Sequence, residues 1–186
     1  MLELAVVLTI LAILLTLAVP SFNELIQSNR LSADASNVLS QLAYARSEAT
    51  KRRSHIVICG SRDQFNCDPS TGANWSAGWI IFADSNGDGI LAANAPPCPT
   101  DTPTTTSDCV LRVQGALSAN DQLSNAAKLT SIVMRANGSL GNTTEPVQFT
   151  LCTDKTLARD KEHEIILGTA GHVSHNPFTC TTGKRH

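Results

Sequence analysis

The first 22 residues are almost uniformly apolar, and this segment constrains the fold more than any other. They read MLELAVVLTILAILLTLAVPSF, and Glu3 is the only charged residue among them. A bilayer-spanning helix needs about 20 apolar residues and tolerates about 17. A cleaved secretory signal would carry basic residues ahead of the apolar run, and none is present. We therefore expect residues 1–22 to form a transmembrane or fibre-core helix.

The pattern beyond Pro20 predicts that this helix continues. A proline inside a helix removes one N–H and kinks or locally melts the helix, but it need not end it. Apolar residues then recur at spacings of three and four, which predicts an amphipathic half over residues 23–53, with the helix running to Thr50. The expected apolar stripe comprises Phe22, Leu25, Ile26, Leu31, Ala35, Val38, Leu39, Leu42, Ala43 and Ala49. The expected polar side comprises Asn23, Gln27, Arg30, Asp34, Asn37, Gln41 and Glu48.

Residues 54–186 have the short β-branched runs and intervening turns of a β-rich head. Pairs such as Asn86–Gly87 and Asn137–Gly138 separate the runs. A mostly antiparallel sheet packed on the amphipathic half of the helix gives an α+β fold. Residues 92–109 are rich in Pro and Thr and are expected to be irregular. The predicted strands are His55–Cys59, Gly78–Asp84, Val110–Gln114, Ser131–Arg135, Val147–Cys152 and Glu164–Gly168.

Six cysteines indicate a disulfide framework rather than a metal site. None of them lies in a C-x-x-C pair, the spacing that zinc ribbons require. Six cysteines allow about fifteen connectivities. We favour the sequential pairing Cys59–Cys67, Cys98–Cys109 and Cys152–Cys180, because each bond would close a local loop. Disulfides persist in oxidising compartments, so we expect a periplasmic or extracellular head.

The anchor and the head both resemble a known superfamily. The apolar tract, with Glu3 and Pro20 seventeen positions apart, resembles the start of type IV pilins and pseudopilins. Within that superfamily, LAYARSEATKRRSHIVIC and WSAGWIIFADSNGDG resemble the GspH/FimT/FimU group. By this alignment Met1 stands at the third mature position. The first two mature residues and a leader peptide are then expected to precede it.

The resemblance implies a pilin-like fold and the function of a minor pilin or pseudopilin. Glu3 would neutralise the N-terminal amine of a neighbouring subunit; on position alone, a Glu that reaches the lipid headgroups is the alternative. The implied location is the bacterial inner membrane, as a single-pass protein with a periplasmic head, and then a pilus or pseudopilus. The implied partners are other pilins or pseudopilins, the inner-membrane assembly platform, the lipid bilayer before assembly, and the prepilin peptidase acting on the precursor.

Several functional alternatives stay open at this stage. The resemblance does not separate a type IV pilus from a type II secretion pseudopilus. A membrane-anchored β-domain that never polymerises is another alternative. A third is a DNA-uptake pilin, because such members carry a C-terminal Gly–Arg–x–Arg motif. In the matching stretch Gly171–His175, which reads GHVSH, both arginines are replaced, so DNA binding is not expected, although Lys184 and Arg185 would be candidate contacts.

Two polar clusters have simpler structural explanations. Asp84, Asn86 and Asp88 resemble the start of a calcium loop, but the twelfth position is Ala95 instead of a bidentate acid. A turn with Asn–Gly and Asp–Gly pairs is therefore the favoured interpretation. The basic run Lys51–Arg53, with Arg46 before it, could contact phosphate, but cations at a helix C-terminus also complement its dipole.

Catalytic chemistry finds little support in the sequence. The stretches Gly-x-Ser-x-Gly and His-Glu-x-x-His are absent, and the cysteines are expected to be oxidised. The net charge of −2 gives no general attraction to nucleic acid or acidic lipid. We expect a protein that is not an enzyme and that needs no cofactor or metal.

Overall fold

A helix of 51 residues, α1 (Leu2–Arg52), opens the fold in the computed structural model. The structure describes residues 2–99, 107–118, 121–153 and 162–180, except for the side chains of residues 2 and 12–24. The helix is continuous through position 20, as the sequence predicted, and extends two residues beyond Thr50. It ends where Arg53 adopts a left-handed backbone conformation with a φ of 52°.

Two four-stranded antiparallel sheets follow the helix. Their orders are β3-β2-β1-β5 and β4-β6-β7-β8, so the fold is α+β with two sheets where the sequence predicted one. A short 3₁₀ helix at Pro69–Thr71 lies between the first two strands. The strands are β1 (His55–Gly60), β2 (Trp79–Asp84), β3 (Cys109–Gln114), β4 (Asp121–Asn125), β5 (Ser131–Met134), β6 (Val147–Thr153), β7 (Glu162–Leu167) and β8 (Val173–Phe178).

All six strands predicted from the sequence are present, but β4 and β8 were missed. β4 reads DQLSN and β8 reads VSHNPF, so each has too few apolar residues to give a strand signal. β8 also contains Pro177, which is typical of edge strands. Both strands lie at the edges of the second sheet, where half of the backbone hydrogen-bonding groups need no strand partner.

The first sheet is buried on both faces. Ile56 and Ile58 of β1 belong to the core that includes α1, whereas Val57 and Cys59 belong to a separate cluster on the opposite face. Loop residues, among them Leu91, cover that second face. Burial on both faces explains why β1 and β2 read as nearly continuous apolar runs.

The second sheet buries only the face that packs on the helix. Phe149 and Leu151 of β6 and Ile165 of β7 are at most 1% exposed, while the alternate residues of β6 are polar or partly exposed. Trp75, from the loop before β2, packs edge-to-face on Phe149 with ring centroids 5.3 Å apart. The core therefore lies between α1 and the two sheets.

The buried stripe of α1 agrees with the sequence prediction at most positions. Leu25 and Ile26 are exceptions: each is 52% exposed, because the buried stripe begins only at Leu31. Ala43 is also exposed, because the 3.6-residue period places its neighbour Leu42 at the centre of the stripe. The assignment of Glu48 to the polar side was also wrong, since Glu48 is 6% exposed and paired with Arg52 one turn later. The buried apolar residues of the helix are Leu31, Ala35, Val38, Leu42, Ala45 and Ala49.

The predicted membrane segment is only partly covered by the structure. The side chains of Pro20 and of the second half of the apolar run fall within residues 12–24, outside the described side chains. In the part of the chain that the structure describes, no helix is sufficiently long and apolar to cross a membrane.

Candidate assembly surface and polar sites

The N-terminal part of α1 exposes an apolar surface to solvent. Residues from Leu4 to Leu11 point in all directions around the helix axis, so no face of this part is polar. Glu3 is exposed at its start. Contiguous exposed apolar patches mark sites of protein or membrane contact. We define the assembly surface as the residues that are more than half exposed here: Leu4, Val6, Val7, Leu8, Ile10, Leu11, Leu25 and Ile26.

An ion pair fixes α1 to the second sheet close to the end of the assembly surface. Arg30 donates from Nε to Oδ2 of Asp121 at 2.9 Å and from Nη2 to Oδ1 at 3.0 Å. The Asp121 side chain is fully buried, whereas that of Arg30 is 35% exposed. We call Arg30, Asp34 and Asp121 the helix–head clasp. Its bidentate geometry fixes the orientation of β4 relative to the helix.

Asp34 adds a second carboxylate to the clasp. Burial raises the pKa of Asp34, and the negative charge of Asp121 raises it further. Its Oδ2 atom is buried and has no hydrogen-bond partner among the described residues. Because the pKa of Asp34 is higher in the folded state than in the unfolded state, the folded state binds more protons. The stability that this carboxyl group contributes therefore falls as the pH rises above 3.8, the ordinary pKa of aspartate. The clasp therefore places two carboxyl groups, those of Asp34 and Asp121, beside a single guanidinium, that of Arg30.

A second ion pair lies at the other end of the helix. Arg52 donates from Nε to Oε2 of Glu48 at 2.6 Å, and its Nη2 contacts the Pro99 carbonyl oxygen at 3.4 Å. Burial opposes ionisation of Glu48, but the hydrogen bond and charge of Arg52 hold the pKa of Glu48 below its ordinary value. Because Arg52 is only 5% exposed, the predicted basic run does not act as one solvated cluster, although Lys51 is exposed.

The Asp84 cluster forms a turn held by backbone hydrogen bonds. Asp84 is 2% exposed, and its two carboxylate oxygens accept the N–H groups of Gly87 at 2.7 Å and Gly89 at 2.9 Å. Asn86 donates from Nδ2 to Oδ2 of Asp88 at 2.7 Å. These oxygens are engaged within the loop, which favours the turn over a calcium site.

Replacing Asp84 by alanine is expected to lower the free energy of unfolding by about 1–2 kcal/mol, because two backbone N–H groups lose their acceptors. Glu145→Ala is the control, because Glu145 is an exposed acid outside this turn. We expect a loss below about 0.5 kcal/mol. Urea denaturation measures both variants. A calcium-dependent rise of the melting temperature that disappears in Asp84→Ala would instead support the calcium site.

The structure joins the cysteines in sequential pairs. The bonds Cys59–Cys67, Cys98–Cys109 and Cys152–Cys180 span 8, 11 and 28 positions of sequence. Cys59 and Cys67 both lie in the cluster on the outer face of the first sheet. The third bond joins β6 to the chain that follows β8. Among the described residues, the one group with three potential metal ligands is Cys152, Glu162 and Cys180, and both of its thiols are consumed by that bond.

The stretch aligned with the DNA-uptake motif has a structural role at its glycine. Gly171 adopts a φ of 76° in the turn between β7 and β8. A Cβ atom there would lie 1.8 Å from the Gly138 carbonyl oxygen, so only glycine permits this approach. His172 and His175 are exposed. Lys184 and Arg185 lie outside the described residues, and DNA binding remains an alternative that no observation favours.

Two histidines that the sequence did not bring together meet on the second sheet. Nε2 of His175 lies 2.9 Å from Nδ1 of His163, and the ring centroids are 4.9 Å apart. The other ring nitrogen of His163, Nε2, lies 3.4 Å from the Ser32 hydroxyl on α1. The two residues are twelve apart in the sequence, and the strand pairing of β7 with β8 brings them together.

Comparisons with known proteins agree with this architecture. A family model described as type II transport protein GspH matches residues 34–171. No curated protein matches the chain. Among solved structures, the type IV minor pilin FimU of Pseudomonas aeruginosa is similar in two crystal forms. One form has 23% identity and a TM-score of 0.55, covering 81% of this chain and 91% of FimU. The other has 22% identity and a TM-score of 0.53, covering 78% and 92%.

The structural match supports a conclusion about the fold, and the family-model match supports a conclusion about the family. The likeness to FimU concerns the fold alone, because the two chains are only 22–23% identical. The family model covers the clasp residue Asp34, both sheets up to the β7–β8 turn, and the Asp84 turn. Because this match extends over more than half of the sequence, the chain belongs to the GspH family.

Proposed function

We propose that this chain is a minor pilin or pseudopilin, a structural subunit and not an enzyme. The observation that carries the proposal is the division of α1 into two parts. The head covers the stripe from Leu31 to Ala49, whereas the residues of the assembly surface, which lie within 4–11 and at 25 and 26, are more than half exposed in the part of the chain whose side chains are described. Equivalent helices of neighbouring subunits would cover that surface in a filament.

In this proposal Glu3 determines how the helices pair. An ionised carboxylate at membrane depth costs about 2.5–3.5 kcal/mol on insertion scales and needs a partner. The N-terminal amine of an adjacent subunit would be that partner.

Pro20 would let the helix bend as it leaves the lipid, because the position lacks a backbone N–H. Assembly then replaces lipid contacts by contacts between helices, and the head presents its surface outward.

The proposed location is the bacterial inner membrane, with a single pass and a periplasmic head, before entry into a filament. The partners would be other pilins or pseudopilins and the inner-membrane platform, with the prepilin peptidase acting on the precursor. Two machines remain possible: the tip or initiation complex of a type IV pilus, or a type II secretion pseudopilus. Deleting the gene distinguishes them, because the first loses surface pili and the second loses secreted proteins.

Glu3→Ala is expected to abolish incorporation into filaments while the protein stays in the membrane fraction. The reason is that the variant keeps its apolar helix but loses the carboxylate that pairs with the neighbouring amine. Immunoblotting of membrane and sheared-filament fractions from the native host measures both effects. Glu145→Ala is the matched control, because Glu145 is an exposed acid on the head.

Two results would contradict the proposal. If Glu3→Ala enters filaments as efficiently as the parent, Glu3 is not needed for assembly. Absence of the parent chain from every filament fraction, with stable residence in the membrane, would favour an anchored β-domain that does not polymerise.

A further inference from the structure

We propose that His163 and His175 form a binding site for one divalent transition-metal ion of the zinc, copper and nickel class. The inference is independent of the proposed function, because it rests on two residues of the second sheet and on Ser32 of α1, none of which belongs to the assembly surface. Imidazole nitrogen is a preferred ligand of these three ions. The two histidines lie at the helix-facing side of neighbouring strands, β7 and β8, so the backbone fixes their separation.

The distance between the facing nitrogens suits two adjacent positions of one coordination sphere. Nε2 of His175 and Nδ1 of His163 are 2.9 Å apart. With metal–nitrogen bonds of about 2.0–2.1 Å, that separation gives an angle of about 90° at the ion. This is the angle between neighbouring ligands in tetragonal and octahedral sites. An increase of the separation to about 3.3 Å gives the tetrahedral angle that zinc prefers.

Ser32 orients the ring of His163 for this role. Its hydroxyl oxygen lies 3.4 Å from Nε2, the nitrogen that faces away from His175. When Ser32 accepts a hydrogen bond from Nε2–H, Nδ1 carries no proton and its lone pair is free to bind the ion. Metal-binding histidines in proteins regularly donate their second N–H to an oxygen in this way. For both facing nitrogens to bind the ion, Nε2 of His175 must also be free of a proton, which the Nδ1 atom of the same ring can carry instead.

The position of the pair at the edge of the sheet also suits a metal ion. His163 is half-buried beside α1. His175 is exposed, which leaves the remaining coordination positions open to water. An ion held here would join β7 to β8 and, through Ser32, would brace the edge of the sheet against α1.

Isothermal titration of the full chain with Zn²⁺ tests the proposal, using protein in detergent without a histidine tag at pH 7.5. We expect one ion per chain, and at least tenfold weaker binding in His163→Gln and in His175→Gln. Ser32→Ala is expected to weaken binding about tenfold, since loss of an orienting partner costs about 10–100-fold in affinity. His172→Gln is the matched control on the same β7–β8 hairpin and should bind like the parent.

A second measurement needs no variant and identifies the ligands directly. Substoichiometric Cu²⁺ should broaden the imidazole NMR signals of His163 and His175 before those of His55 and His172. The proposal is overturned if the parent binds no Zn²⁺, if His175→Gln binds as tightly as the parent, or if Cu²⁺ first broadens other histidines. A Zn²⁺-dependent rise of the melting temperature that is present in the parent and absent in His175→Gln supports it.

Discussion

Phe149→Ala is expected to lower the free energy of unfolding by about 3–5 kcal/mol, the range for removing a fully buried Phe side chain. Phe149 is 1% exposed and lies on the central strand β6. Its ring packs edge-to-face on Trp75, whose Nε1 donates to the Leu129 carbonyl oxygen at 3.0 Å. That hydrogen bond fixes Trp75, so the indole cannot move to fill the space that the variant leaves. Urea denaturation of the full chain in detergent measures the loss.

Phe65→Ala is the control for this prediction. Phe65 is 80% exposed in the Cys59–Cys67 loop, so its replacement should change the free energy of unfolding by less than about 0.5 kcal/mol. A loss below about 1 kcal/mol in Phe149→Ala would show that the aromatic pair is not central to the core.

Arg30→Met is expected to destabilise the fold by about 2–3 kcal/mol. The variant leaves the fully buried carboxylate of Asp121 without its bidentate partner and beside a second acid, Asp34. Breaking a fully buried ion pair costs about 3–5 kcal/mol. We expect a smaller loss than this for Arg30→Met, because the Arg30 side chain is 35% exposed and water partly screens the ion pair. Thermal and urea denaturation at pH 7 measure the effect.

The pH and two further variants separate charge from packing in this prediction. The loss should shrink as the pH falls toward 4, because the pKa of Asp34 is raised and its protonation removes the repulsion between the two acids when Arg30 is absent. Asp121→Asn in the Arg30→Met background should restore most of the stability. Arg62→Met is the control and should change stability little, because Arg62 lies 3.4 Å from Asp68 in an exposed pair that solvent screens. A loss in Arg30→Met that is independent of pH would contradict the electrostatic explanation.

The sequence predicted the elements whose signals are local. The 3.6-residue period placed Leu31 and Leu42 in the core, and continuous β-branched runs predicted β1 and β2. Local sequence patterns gave wrong predictions where contacts with other parts of the fold decide whether a side chain is buried. Glu48 looked like a surface residue, yet it is buried and paired with Arg52, which itself contacts the Pro99 carbonyl oxygen of the head.

The helix–head clasp and the histidine pair could not be predicted either, because each depends on contacts between different secondary-structure elements. Arg30 and Asp121 are 91 positions apart, and β4, which carries Asp121, has almost no apolar pattern. The pair His163–His175 depends on the register in which Ile165 faces His175, and this register exists only because β8 forms. The Asp84 turn was accessible to sequence reasoning, since Asn–Gly and Asp–Gly pairs follow directly after a strand.

The central claim is that the assembly surface packs against other subunits, and photo-crosslinking tests it most directly. A photoreactive amino acid replaces Leu8, which is 58% exposed on that surface, or Thr144, an exposed loop residue of the head. After irradiation of the native host, mass spectrometry identifies the crosslinked products. The account predicts that position 8 crosslinks to pilin-like subunits, and far more often than position 144. Crosslinks from position 8 to lipid alone, in cells that carry assembled filaments, would contradict it.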